Sequence, residues 1–132
     1  MSEIKIDVPL FVRLTKKTPK GKKIINLNNY RNWHFIVNSK AKIAYSEQLK
    51  EVLSPLKFKK RISLHFVLFK GSKRKSDRAN VLSIHEKFFC DALTHYGCIP
   101  DDDDEVIEST HYSGGGLDRE NPRVEVYIKL LK

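Results

Sequence analysis

Cysteine is scarce: the 132 residues hold two, Cys90 and Cys98. Their spacing fits neither a zinc site nor a redox pair, so they read as small packed side chains kept reduced in a cytosol. Long apolar runs are missing. None approaches the roughly 18 residues that a bilayer span requires, and no membrane association by a spanning helix is expected. The start, MSEIKIDVP, lacks a basic stretch followed by an apolar core, so no signal peptide is read there. The five histidines show no HxxxH or other ligand spacing, which speaks against zinc. No serine or cysteine stands in a nucleophile elbow. The glycines at 114–116 are not followed by a Lys-Ser/Thr pair, so they make no phosphate loop, and no small-molecule cofactor is expected. Repeats, low-complexity tracts and dividing linkers are also absent, which leaves one domain over 1–132.

The other shortage is of acids, 16 against 25 lysines and arginines, for a net charge of +9. Such an excess attracts polyanions, nucleic acid first and an anionic membrane surface second. Yet five of the acids are consecutive, at 101–105. Ahead of them comes a lysine- and arginine-rich stretch, 70–78, and then a helical pattern. Cations leading directly into carboxylates make sense if a polyanion is drawn to a metal that the carboxylates hold.

Hydrophobic periodicity supplies the frame. Residues 3–14 alternate, with Ile4, Ile6, Val8, Leu10, Val12 and Leu14 on one face. That is a half-buried strand, and Pro9, lacking an N–H, places it at an edge or breaks it midway. The loop 15–28 carries Lys16, Lys17, Lys20, Lys22 and Lys23 around Pro19 and Gly21, and reads equally as a solvated hairpin or a phosphate-contacting flap. From Asn29 to about Leu53, Tyr30, Trp33, Val37, Ala41 and Ala44 recur at helical steps. Asn28 or Asn29 can cap that helix, and Pro55 ends it. Residues 62–69 form a central strand covered on both faces, with His65 a structural histidine.

A second long helix is expected from about Asp77 to Tyr96, stopped by Gly97. At ~100° per residue, Val81, Leu82, Phe88, Phe89, Ala92 and Leu93 share one arc, while Asn80, Lys87 and Asp91 form a narrow stripe at its margin. After an acidic turn and a short strand, the glycines are expected to link a hairpin to a final strand containing Val124, Val126, Ile128 and Leu130. The whole is an α+β domain: a small, mostly antiparallel sheet packed with two main helices.

Phosphodiester hydrolysis needs a cation beside the scissile phosphate, and Mg2+ or Mn2+ suits a few carboxylates plus substrate oxygens. Asp77 opening the helix, Asp91 on its stripe and the acids from Asp101 onward are candidates to converge beside Lys87. The plain reading is a solvated acidic turn and an ordinary N-cap. Against it, carboxylates packed together without a cation would repel one another.

The block DRANVLSIHEKFFCDALTHYGCIPDDDDEVI, with NPRVEVYI beyond the glycines, resembles the RusA-type Holliday-junction resolvases of bacteria and phages. The matching residues are Asp77 and Asn80, Lys87, Asp91-Ala92-Leu93, Gly97 and Asp101-Asp102, strongest over 74–106 and recurring at 121–128. The resemblance implies a cytoplasmic, bacterial or phage-encoded homodimer that binds four-way or other branched DNA and makes paired symmetric nicks with Mg2+ or Mn2+. It implies Asp77 and Asp102 as metal ligands with Asp91 a weaker member, and Lys87 as the catalytic lysine. A symmetric dimer also supplies the two sites that two cuts require. Lys16, Lys17, Lys73, Arg74, Lys75 and Arg78 would then contact phosphates without reading sequence.

Two positions depart from the family pattern. Ala79 stands where a second acid is common, so Asp91, Asp103 or Glu105 would have to replace it, or metal binding is weakened. The interval from Asn80 to Lys87 is about one helical turn longer than in the shortest members, which keeps the lysine on the same face. The rival expectations are a catalytically lapsed member that only binds branched DNA, and an interaction protein with no affinity for it.

Overall fold

The clean alternation at the start of the chain ends at Pro9. A computed structural model describes residues 3–14, 22–73 and 77–131. It places β1 at Glu3–Pro9, β2 at Phe11–Arg13, β3 at Lys22–Ile24, α1 at Leu27–Asn32, α2 at Phe35–Gln48 and α3 at Lys50–Leu53. Then follow β4 at Ile62–Lys70, α4 at Arg78–His95, β5 at Ile107–Leu117 and β6 at Arg123–Leu130. Pro9 thus does both things expected of it. It ends β1, which lies at the edge of a four-stranded sheet of order β1-β6-β4-β5, and it throws the chain into β2, which pairs with β3 separately.

β6 runs antiparallel to both β1 and β4, whereas β4 and β5 are parallel. The sheet is therefore mixed, with antiparallel pairings in the majority. The parallel pair follows from the helix between its strands, because a helical crossover brings the chain back to the end where it started. α4 covers one face of the sheet. There the register stacks Leu64 on Ile128, Phe66 on Val126 and Leu68 on Val124, with Ile6 and Val8 continuing the rows onto β1. All eight are buried. Phe66 meets Phe89 of α4 edge-on at 5.8 Å between ring centroids, and Phe88 meets Tyr45 of α2 at 5.5 Å. Each such side chain stabilises the fold by about 1.5–3 kcal/mol relative to exposure. Both cysteines are buried thiols within this core, as packing alone would have them. No helix among the described residues is long and apolar enough to cross a membrane.

The expected helix from Asn29 to Leu53 is three. Trp33 and His34 adopt extended backbone between α1 and α2, where the His34 ring accepts from Ile36 N at 3.3 Å as a new N-cap. The first cap is Asn26, which accepts from Asn29 N at 2.7 Å, not Asn28 or Asn29. α4 ends as expected at Gly97, whose φ of 72° lets Cys98 N reach Leu93 O at 2.8 Å and close the helix end.

The glycine hairpin does not form. Residues 114–116 lie inside β5, and β4 separates β5 from β6. The turn comes later, where Asp118 accepts from Asn121 N at 3.1 Å. The glycines serve close approach instead. A Cβ on Gly115 would sit 2.5 Å from the ring of Phe69, and the Arg123 guanidinium covers that ring at 4.1 Å. The ring is held between cation and backbone. Gly115→Ala should therefore cost about 1–3 kcal/mol through overpacking. An unchanged midpoint in urea unfolding would mean that the ring swings aside freely.

Away from α4, the sheet's second face is only partly covered and mostly polar, carrying His65, Arg123, Glu125 and Tyr127. His65, half-buried, hydrogen-bonds Ser113 at 2.5 Å. Glu125 is buried, yet its carboxylate accepts from Arg123 at 2.7 and 3.0 Å and from Tyr127 at 2.5 Å, with Lys5 at 3.3 Å. Burial pushes its pKa up, but these donors outweigh burial and hold it below the ordinary value.

Candidate functional site

The polar stripe of α4 forms as the helical period requires, but the expected site residues divide between its two ends. Asp77 is the N-cap, with its carboxylate accepting from Ala79 N at 2.9 Å. Asp91 lies fourteen residues further on, about 21 Å along the axis at 1.5 Å per residue. One ion cannot be shared by both. The expected set of Asp77, Asp91 and Asp102 does not converge; only its last two members do.

Asp101–Asp104 precede β5, which starts at Ile107, as the expected acidic turn. They form a turn built by their own side chains. Asp101 accepts from Asp102 N at 2.8 Å, and Asp103 from Glu105 N and Val106 N at 2.9 and 3.2 Å. Arg61 braces the far side through the Asp104 carbonyl at 3.0 Å and Glu108 at 3.3 Å. The turn thereby holds Asp102 between two hollows. In the larger, about 600 Å³, it faces Asp91, Asp101 and Lys42 in the groove between α2 and α4. In the smaller, about 180 Å³, it faces Lys87, Glu86, Asp104 and Glu108.

Among the described residues neither Lys87 nor the Asp102 carboxylate has an ion pair, with each other or with a third group. Asp91 is engaged: Lys42 reaches it at 3.0 Å, a half-exposed pair worth about 0–1 kcal/mol.

Glu86 was not legible as a site residue, because on the helical wheel it falls at the edge of the apolar arc, about 100° from Lys87. The fold turns that edge toward β5, where the Tyr112 hydroxyl donates to Glu86 and fixes it in the recess. Burial raises the Tyr112 pKa and the bond to Glu86 raises it further, so the hydroxyl stays protonated as the donor. The thiol of Cys90 reports the field of this end. Its pKa is pushed up to about 12 by burial, with Glu86, Asp102 and Asp91 adding in that order.

The donors here are carboxylate oxygens, the chemistry that Mg2+ and Mn2+ take. Among the described residues no three His, Cys, Asp or Glu side chains form a ready-made cage. Magnesium in particular is held by one or two carboxylates plus water and phosphate oxygens, so Asp102 with one neighbour fits that sparser pattern.

The opposite end of α4 is cationic. Lys73 and Arg78 line a groove of about 510 Å³ with Lys70 and the backbone of Gly114 and Gly116. Lys16, Lys17, Arg74 and Lys75 lie outside the described residues. A helix N-terminus favours anions and a C-terminus cations. Asp77 meets the first preference as the N-cap, but no acid follows it in the first turn, and the acidic turn packs near the opposite end. The macrodipole adds to the charge at both poles: one is built to attract anions and the other cations. No protein-family model matches the chain, and no curated protein matches it.

Proposed function

We propose that this chain is a Mg2+- or Mn2+-dependent endonuclease that cuts branched DNA, four-way junctions foremost, as the resemblance of residues 74–106 to the RusA-type resolvases implies. The observation carrying the proposal is that Lys87 of α4 and Asp102 of the acidic turn, remote in sequence, line one recess with Glu86. Asp102 with Glu86 or Asp104 would hold the metal, which when bound supplies an activated water and offsets charge on the leaving oxygen. The Lys87 ammonium neutralises a non-bridging oxygen of the scissile phosphate and orients it. Tyr112 keeps Glu86 aimed into the recess. The Cys90 thiol, protonated near neutral pH, takes no part as a nucleophile. Asp77 enters this reading as a helix cap at the phosphate-attracting pole.

The same geometry lightens the departure at Ala79. That residue lies about 12 Å along the axis from Lys87, too far for an acid there to share a recess with Asp102. A homodimer would provide the two sites for paired cuts. The test is a labelled four-way junction incubated with and without Mg2+ or Mn2+. Symmetric paired nicks that require the metal are expected. Tight junction binding without scission in either metal would replace this reading with that of a branched-DNA-binding protein.

A further inference from the structure

A second groove, about 620 Å³, adjoins the Lys73–Arg78 groove and shares Leu68, Lys70 and Ser72 with it. It adds Lys22 of β3 and Arg119 of the β5–β6 turn. Together the two hollows line up five cations drawn from β3, β4 and its following loop, α4 and the β5–β6 turn. Among the described residues, no aspartate or glutamate lines either one. The Arg78 guanidinium lies 3.5 Å from where a Cβ on Gly114 would stand, so backbone and cation meet there without a side chain between.

The second hollow differs from a plain basic surface. Between its cationic rims the wall is apolar, with Phe11, Ile24 and Val81, and the Lys22 ammonium sits 4.5 Å above the Phe11 ring. A duplex offers phosphates and buries its bases, so it gains nothing from an apolar wall. An unpaired strand offers both, which is why such strands select cationic grooves with an aromatic face.

We propose that this continuous groove, at the opposite pole of α4 from Asp102, binds an unpaired nucleic-acid strand, with its backbone on Lys22, Lys70 and Arg119 and a base against Phe11. The inference deepens the reading above by naming the form of substrate engaged beside the cut, and it holds without metal. With α4 as the ruler, Arg78 and Lys87 are about 13 Å apart along the axis. A strand anchored at Arg78 would therefore meet the recess about two nucleotides away, at roughly 6–7 Å per nucleotide of an extended strand.

The test measures anisotropy of a labelled 15-nucleotide strand and of a duplex of the same length, in EDTA, so that binding is read apart from cleavage. The single strand should bind more tightly than the duplex. Lys22→Ala with Arg119→Ala should weaken it at least tenfold and lower the salt slope by about 1.4, two phosphates at roughly 0.7 each. Phe11→Leu should weaken it roughly tenfold through lost stacking. Lys60→Ala, an exposed cation outside both grooves, should change little. Equal or tighter duplex binding, or an equal loss from Lys60→Ala, would overturn the proposal. Failure here is separable from failure of the nuclease reading. Metal-dependent scission in a protein whose Lys22/Arg119 variant binds strands normally removes only the groove. Groove-dependent binding without scission in either metal removes only the nuclease.

Discussion

Asp102→Asn should abolish junction cleavage, lowering the rate by about three powers of ten, while leaving junction binding within a few-fold of the parent. A metal-supplied stabilisation of several kcal/mol, at 1.36 kcal/mol per tenfold, gives that size. The substitution keeps the side chain's shape and removes one charge. Asp102 is exposed and its carboxylate makes no hydrogen bond among the described residues, so the fold should be untouched. Lys87→Ala should cost less, about two powers of ten, because one ammonium offsets part of the phosphate charge. Asp77→Asn is the informative contrast. If Asp77 only caps α4, Asn serves nearly as well and cleavage persists. A loss from Asp77→Asn equal to that from Asp102→Asn would mean that the two carboxylates meet after all, against the roughly 15 Å of helix between Asp77 and Lys87, the residue whose recess Asp102 lines. Single-turnover cleavage beside EDTA binding separates the cases.

The second large effect is on stability and lies in the core. His85 of α4 is fully buried and shares a 2.9 Å hydrogen bond with the Tyr45 hydroxyl of α2. Burial lowers its pKa from 6.5 to about 3. In the unfolded chain the ring takes a proton below about 6.5; in the folded protein it stays neutral until about 3. Across that window the unfolded state binds the extra proton, so stability falls as pH falls, by about 1.4 kcal/mol per unit. Urea unfolding should show about 2 kcal/mol less stability at pH 5 than at pH 7. Tyr45→Phe with His85→Leu removes both polar partners together, which costs little in itself, and should flatten this slope. A slope unchanged in the double variant would place its origin elsewhere. Glu125 acts in a lower window. Its folded pKa is depressed, so its contribution is present above about 4.5 and disappears as pH falls through the folded value.

Much of the frame was readable from residue types, for stated reasons. Period-two alternation marked β1, β4 and β6, since one polar residue out of step would put a charge into the core. The 3.6-residue period marked α4, and Gly97 marked its end, because few other residues adopt a φ of 72°. The helical rhythm of residues 29–53 was right in kind but silent on its breaks. The turn at Trp33 and His34 is settled by what those residues pack against and cap, not by propensity. The glycines misled because Gly reads as a turn, whereas the Phe69 ring requires a strand there without side chains.

The sequence by itself determined which residues carry charge and which face of each element they occupy. That was enough to set Lys87 and Asp91 on one stripe and to group the acids at 101–105. It could not determine which ends of the elements meet. Only the tertiary structure put β4 between β5 and β6, turned Glu86 toward Tyr112, set Asp102 in one recess with Lys87 and left Asp77 near the other end of α4. The physical reason is that helical period specifies direction around an axis and says nothing of partners along it. Distance along α4 decides which carboxylates can share an ion, and that distance acquires meaning only when a second element packs beside it.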